Sequence, residues 1–160
     1  MKNLVVVDTS IAIKWAVNEP DSDIALSLLA EWTKRETVII APALLAYEAT
    51  NTFHRHIRGG KIGFEDARRG LEEIIFTAMV FDFSQNPSSN LKAMEFAQRF
   101  GLPAAYDSHY LALAEREGCE FWTADTRLWN SIRGKFSWAR WMGDYQPTDQ
   151  HTSPNESDNS

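Results

Sequence analysis

The chain has 160 residues, 44% of them hydrophobic and 24% charged, with one cysteine and a formal net charge of −6. That length suits one domain with a sizeable core, and the composition is ordinary for a soluble globular protein. The lone Cys119 rules out an intrachain disulfide, the acidic balance argues against a general nucleic-acid binder with its basic excess, and no apolar run approaches the ~20 residues of a membrane span.

The opening "MKNLVVVD" is interrupted too soon for a signal peptide, so a cytoplasmic location is expected, with no membrane partner. The first strand is read at Leu4 to Val7, and "SIAIKWAV" follows as a short helix. "DSDIALSLLAEWTKRE" is a second helix capped by Asp21 or Ser22, with Ile24, Leu28 and Trp32 at i, i+4 and i+8 on one face. "TVIIA" is a strand, and Pro42 fits the first turn of the next helix. That helix, "ALLAYEATNTFHRHIR", stops at Gly59-Gly60.

"GFEDARRGLEEIIFTA" is a further helix, and "MVFDF" a strand. "NPSSNLKAMEFAQRFG" and "AAYDSHYLALAEREG" are helices ending at Gly101 and Gly118. "EFWTAD" is a strand turning at Asp125 into the helix "TRLWNSI", and "FSWARW" is a last short strand. This alternation predicts an α/β fold with a mainly parallel sheet. Residues 1–145 form the domain, and 146–160 a polar tail whose composition predicts disorder.

"VVVDTS" (5–10) is an apolar strand that ends on a carboxylate. Asp8 either caps the next helix or occupies the strand end where open α/β sheets place their sites. "FWTAD" repeats the pattern at Asp125. Two more acids stand in apolar helical settings: Glu48 in "PALLAYEATN", and Asp107 near the start of its helix, where the helix dipole favours an anion. Four such acids without a nucleophile suit hard divalent cations, which take oxygen ligands and in pairs assist phosphodiester cleavage. Without a cation the acids repel, and raised pKa values are expected.

"VVVDTS", "YEATN", "AAYDSHYLALAE" and "WTAD", in this order and spacing over about residues 3–141, resemble the four acidic motifs of PIN domains. The set is most similar to VapC-type toxins of toxin–antitoxin pairs. The resemblance implies a three-layer α/β/α domain and a Mg²⁺-dependent endoribonuclease, with Mn²⁺ as a substitute cation. It also implies RNA as substrate, a cognate antitoxin and a homodimer. It assigns Asp8, Glu48, Asp107 and Asp125 as the acidic quartet, with Asp8 central and Asp107 beside it at the metal. Thr9 or Ser10 would orient Asp8 or a water. Asn51, one turn past Glu48, and Thr123, two residues before Asp125, would support the acids from behind.

Two alternatives stay open: a PIN-like interaction module that cuts nothing, and a phosphohydrolase with Asp8 as nucleophile. Ser10, where such enzymes want a second aspartate, counts against the latter. His54 and His56 are two apart and do not face together on a helix, and His109 is likewise two from Asp107. The basic run "HRHIRGGK" with "ARR" (67–69) is either a phosphate guide or a solvated face balanced by nearby acids. Trp15, Trp32 and Trp122 are expected in the core, and Trp138 and Trp141 on a partner surface.

Overall fold

A computed structural model of the protein describes residues 3–84 and 86–147. The tail expected from Gln146 therefore lies, past Pro147, outside the described residues. Five strands form one parallel sheet: β1 (Leu4–Val7), β2 (Val38–Pro42), β3 (Met79–Asp82), β4 (Glu120–Thr123) and β5 (Ala139–Trp141). Their order is β3-β2-β1-β4-β5. Helices on both sides complete a three-layer α/β/α sandwich. β1 is central, and Val5, Val6 and Val7 are all buried. That is why it reads as an unbroken apolar run rather than an alternating one.

The strand order also says where a site belongs. The chain leaves β1 through α1 (Thr9–Ala16) and α2 (Ser22–Lys34) to β2 on one side, whereas β4 returns to β1's other side. Connections that diverge in this way open a crevice at the carboxyl ends of the two strands. Register aligns Val6 with Phe121 and Val7 with Trp122, so the next residues, Asp8 and Thr123, meet at that crevice.

From β2, α3 (Leu44–Arg58) leads to α4 (Phe64–Arg69), which widens into a π turn (Gly70–Ile75) and ends in the short α5 (Phe76–Ala78) before β3. The single helix expected over 63–78 is thus interrupted. Gly70 lies where a Cβ would come within 2.9 Å of the Phe53 ring and 3.0 Å of the Ala16 Cβ, so the helix approaches α3 and α1 closely there. α6 (Pro87–Arg99) packs on α7 (Tyr106–Glu117), and α7 lies along β1, β2 and β4. Gly118 closes α7 at φ +65, a conformation glycine adopts without strain. α8 (Thr126–Ile132) follows β4.

Three local expectations are corrected. Pro42 is the last residue of β2, paired with Asp82, because the strand continues to the end of β3 before α3 begins at Leu44. Neither Asp21 nor Ser22 caps α2 by its side chain: Asp21 sits at φ 65 without a cap bond. The Ser22 hydroxyl instead accepts from Glu19 N and donates to Val17 O, tying down the preceding loop. Trp138 and Trp141 are half-buried within the chain's own aromatic clusters, Trp138 against Phe136 and Trp141 stacked on Trp129. Trp15 and Trp32 are in the core, and Trp122 packs on it, edge-on to Trp32.

Candidate active site

Asp8 ends β1 and is 4% exposed. Both readings of it hold together. Its Oδ1 accepts from the Ser10 amide at 3.1 Å, capping α1, and from the Ser10 hydroxyl. Its Oδ2 accepts from the Thr123 hydroxyl at the end of β4. Thr123, itself fully buried, accepts from the Asp125 amide at 3.0 Å, and the Ser10 hydroxyl accepts from Ala124 N at 2.9 Å. Two hydroxyls thus lock the crevice between β1 and β4 and hold Asp8 in a single orientation. Asp125 caps α8 through Arg127 N and Leu128 N at 2.9 and 3.1 Å.

Glu48 projects from α3 towards the same crevice. It accepts from the Thr9 hydroxyl at 3.2 Å and from the phenol of Tyr110, and those two oxygens are 3.0 Å apart. Tyr110 is wholly buried. Burial and the Glu48 charge push its pKa far above the ordinary phenol value, so it stays a donor. The sequence reading passed over Tyr110. The available signal was its spacing: three residues after Asp107 on α7, it shares that residue's helix face.

Asp107 stands in the first turn of α7. Burial, then the charges of Asp125 and Glu48, push its carboxyl up to about 6. Burial pushes Asp8 up to about 7, against the lowering effect of its Ser10 and Thr123 hydrogen bonds and with help from Asp107 and Asp125. All four acids are therefore electrostatically linked. No group of three or more acidic, histidine or cysteine side chains among the described residues forms a ready-made metal cage. Of the four acids, Glu48 lines the neighbouring cleft, and both Asp8 oxygens are turned to hydroxyls. The donor set is all oxygen, which fits a hard cation that retains waters and is completed by a substrate phosphate. A cation there would offset the burial, and relieve the repulsion, that together raise Asp8 and Asp107.

Thr9, Ser10, Glu48 and Asn51 line a cleft of about 360 Å³ together with Lys14, Arg55 and Ala124. Asn51 makes no hydrogen bond to Glu48 among the described residues. Of the basic run, Arg55 reaches this cleft, whereas Arg68 and Arg69 pair with Glu65, Glu72 and Asp66 on an exposed face. His56 lies 3.5 Å from Glu19, His54 is exposed, and burial lowers the pKa of His109. None of the three joins the acids.

A 3-2-1-4-5 parallel sheet, with acids closing β1, capping the helix after β4 and standing on two neighbouring helices, defines a PIN-type domain. The PIN domain family model matches residues 5–134, and the chain belongs to that family. PIN domains are generally nucleases and usually use divalent metal ions. Among solved structures, the chain is similar in fold to PAE2754 from Pyrobaculum aerophilum, at 22% identity and a TM-score of 0.63, over 87% of this chain and 90% of that one. No curated protein matches the chain in sequence. No helix among the described residues is long and apolar enough to cross a membrane.

Proposed function

We propose that this PIN domain is a Mg²⁺-dependent endoribonuclease, able to use Mn²⁺, and the toxin of a VapC-type toxin–antitoxin pair. The observation that carries the nuclease part is Asp8. A buried carboxyl is costly without compensation, yet this one is held rigidly at a sheet crevice and raised further by two other acids. A divalent cation would offset that burial and the smaller repulsion from Asp107 and Asp125.

Asp8 and Asp107 would hold the ion, with Glu48 and Asp125 completing its surroundings directly or through water. When bound, the cation supplies positive charge against the phosphodiester and makes water a better nucleophile. The chain's own residues fix the rest. Ser10 and Thr123 orient Asp8, and Tyr110 and Thr9 orient Glu48. Asp125 keeps one oxygen on the α8 amides. Arg55 places cationic charge along the cleft wall for the RNA backbone, whereas Lys14 is paired with Glu19 at 3.4 Å. Asp8 as a covalent nucleophile is disfavoured because Ser10 stands where such enzymes want a second aspartate.

The antitoxin reading draws support from a groove of about 380 Å³ between α3 and α4, walled by Phe53, Ile57, Phe64 and Leu71. It is shaped for the apolar face of a helix. The homodimer reading draws support from apolar side chains left exposed on α6 and the edge strand β3: Leu91, Met94 and Val80.

The test is cleavage of a mixed RNA pool by the purified chain with Mg²⁺, with Mn²⁺ and with chelator. Metal-dependent cutting that Asp8→Asn abolishes supports the reading. Cutting that survives chelator or Asp8→Asn overturns it. If the folded protein cuts nothing but still binds a partner, the interaction-module reading replaces it.

A further inference from the structure

Next to the acidic crevice lies a second cleft of about 320 Å³ that the reaction chemistry leaves unused. Tyr47 and Tyr106 line it, 74% and 64% exposed. Each directly precedes an acid, Glu48 on α3 and Asp107 on α7. α3 is the shared wall: Leu44 and Tyr47 face this cleft, and Glu48 and Asn51 the other. Two large aromatic rings left in water at the mouth of a polar site are unusual for packing alone. No ring contact joins them, and neither phenol is hydrogen-bonded among the described residues.

The remaining lining narrows what this cleft takes. Asn90 and His109 bring an amide and an imidazole, and neither side chain makes a hydrogen bond among the described residues. Arg116, the cation here, is already committed: it donates to Asp82 at 2.9 Å, Ser84 at 3.0 Å and Glu117 at 3.0 Å. Its charge is answered by two carboxylates, which leaves little attraction for a phosphate. Flat aromatic faces with nearby amide and imidazole groups are the chemistry that holds unpaired bases, by stacking and by hydrogen bonds to their edges.

We propose that Tyr47 and Tyr106 form a subsite for one unpaired base of the RNA, beside the nucleotide whose phosphate meets the acids, with Asn90 and His109 reading its edge. The proposal rests on the ribonuclease reading above and adds where sequence preference is set. The backbone enters along Arg55, and one base turns across α3 into the tyrosine cleft. Cleavage then depends on which base occupies the subsite, and structured RNA is cut only at loops and ends.

The test uses the full chain and short single-stranded RNAs carrying the fluorescent base 2-aminopurine at successive positions. Binding is read in chelator, where nothing is cut, and cleavage separately with Mg²⁺. Tyr47→Leu and Tyr106→Leu are each expected to weaken binding about five- to hundred-fold, the range of base–aromatic stacking. They should raise KM far more than they lower kcat and relax the preference at one position. Phe at either site, which keeps the ring, is expected to restore binding. Asn90→Ala is expected to change base preference more than affinity. RNA binding that ignores both tyrosines while Asp8-dependent cutting continues overturns the subsite alone. Tyrosine-dependent binding without any Asp8-dependent cutting overturns the ribonuclease reading and leaves the subsite standing. A fall in oligomeric state in both Leu variants, by sedimentation, assigns the cleft to a protein contact and overturns the subsite.

Discussion

Replacing Asp8 by Asn should stabilise the metal-free protein at alkaline pH and destabilise it in acid. The folded chain holds the Asp8 proton up to about pH 7, against an ordinary value of 3.8. A group that binds its proton more tightly when folded contributes fully below the unfolded value and loses that contribution as pH rises to the folded one. The difference is roughly a thousandfold in proton affinity, or about 4 kcal/mol at 1.4 kcal/mol per tenfold. At pH 8 in chelator, the wild type carries that penalty and the Asn variant does not. The amide keeps an oxygen for Ser10 but turns an NH₂ towards Thr123, which already accepts from Asp125. Losing the charge-assisted bond gives back about 1–2 kcal/mol. The net expectation is a gain of about 2–3 kcal/mol at pH 8, or roughly 4–12 °C in Tm for a chain of this size, and a net loss below pH 4. The assay is urea unfolding followed by tryptophan fluorescence from pH 4 to 8.5, in chelator and with Mg²⁺. Divalent cation should stabilise the wild type by mass action and the variant far less. Equal pH slopes in the two proteins, or a variant less stable at pH 8, would refute a penalised buried carboxylate.

Three further substitutions follow from the contacts. Thr123→Val keeps the shape but removes both the donor to Asp8 and the acceptor for Asp125 N. It should cost about 1–3 kcal/mol in urea unfolding, and an unchanged midpoint would mean that the hydroxyl holds nothing. Tyr110→Phe takes a hydrogen bond from Glu48 and leaves it the Thr9 hydroxyl. RNA-cleavage kinetics should show kcat falling about tenfold with KM nearly unchanged, a loss of about 1.4 kcal/mol in the transition state; full kcat would separate Glu48 from Tyr110. Gly70→Ala gains helix propensity of about 1 kcal/mol but drives a methyl into Phe53 and Ala16. Overpacking of about 1–3 kcal/mol should win, and a raised Tm in calorimetry would show that Phe53 simply yields.

Much of this protein is written locally. The apolar run Leu4 to Val7 became β1 with those bounds, α3 and α7 stop just before Gly59 and Gly118, and α6 starts behind its cap Asn86. Glycine, caps and apolar period act over a few residues, so a linear reading suffices for them. The family was legible for the same reason, because each acid carries its own local motif and the motifs come in a fixed order.

Tertiary structure decided what depends on residues far apart in the chain. Pro42 became strand because its partner is Asp82. Gly70 sits in a π turn because α4 meets Phe53 and Ala16 there. Strand pairing put Thr123 against Asp8, 115 residues away, and the packing of α3 and α7 on the sheet put Tyr110 against Glu48, 62 away. The folded sheet and helices bring the four acids within electrostatic reach of one another, with Asp8 and Asp107 raised to about 7 and 6. A residue's charge is legible in sequence, but the penalty on that charge comes from burial and neighbours, and those exist only once the sheet has formed.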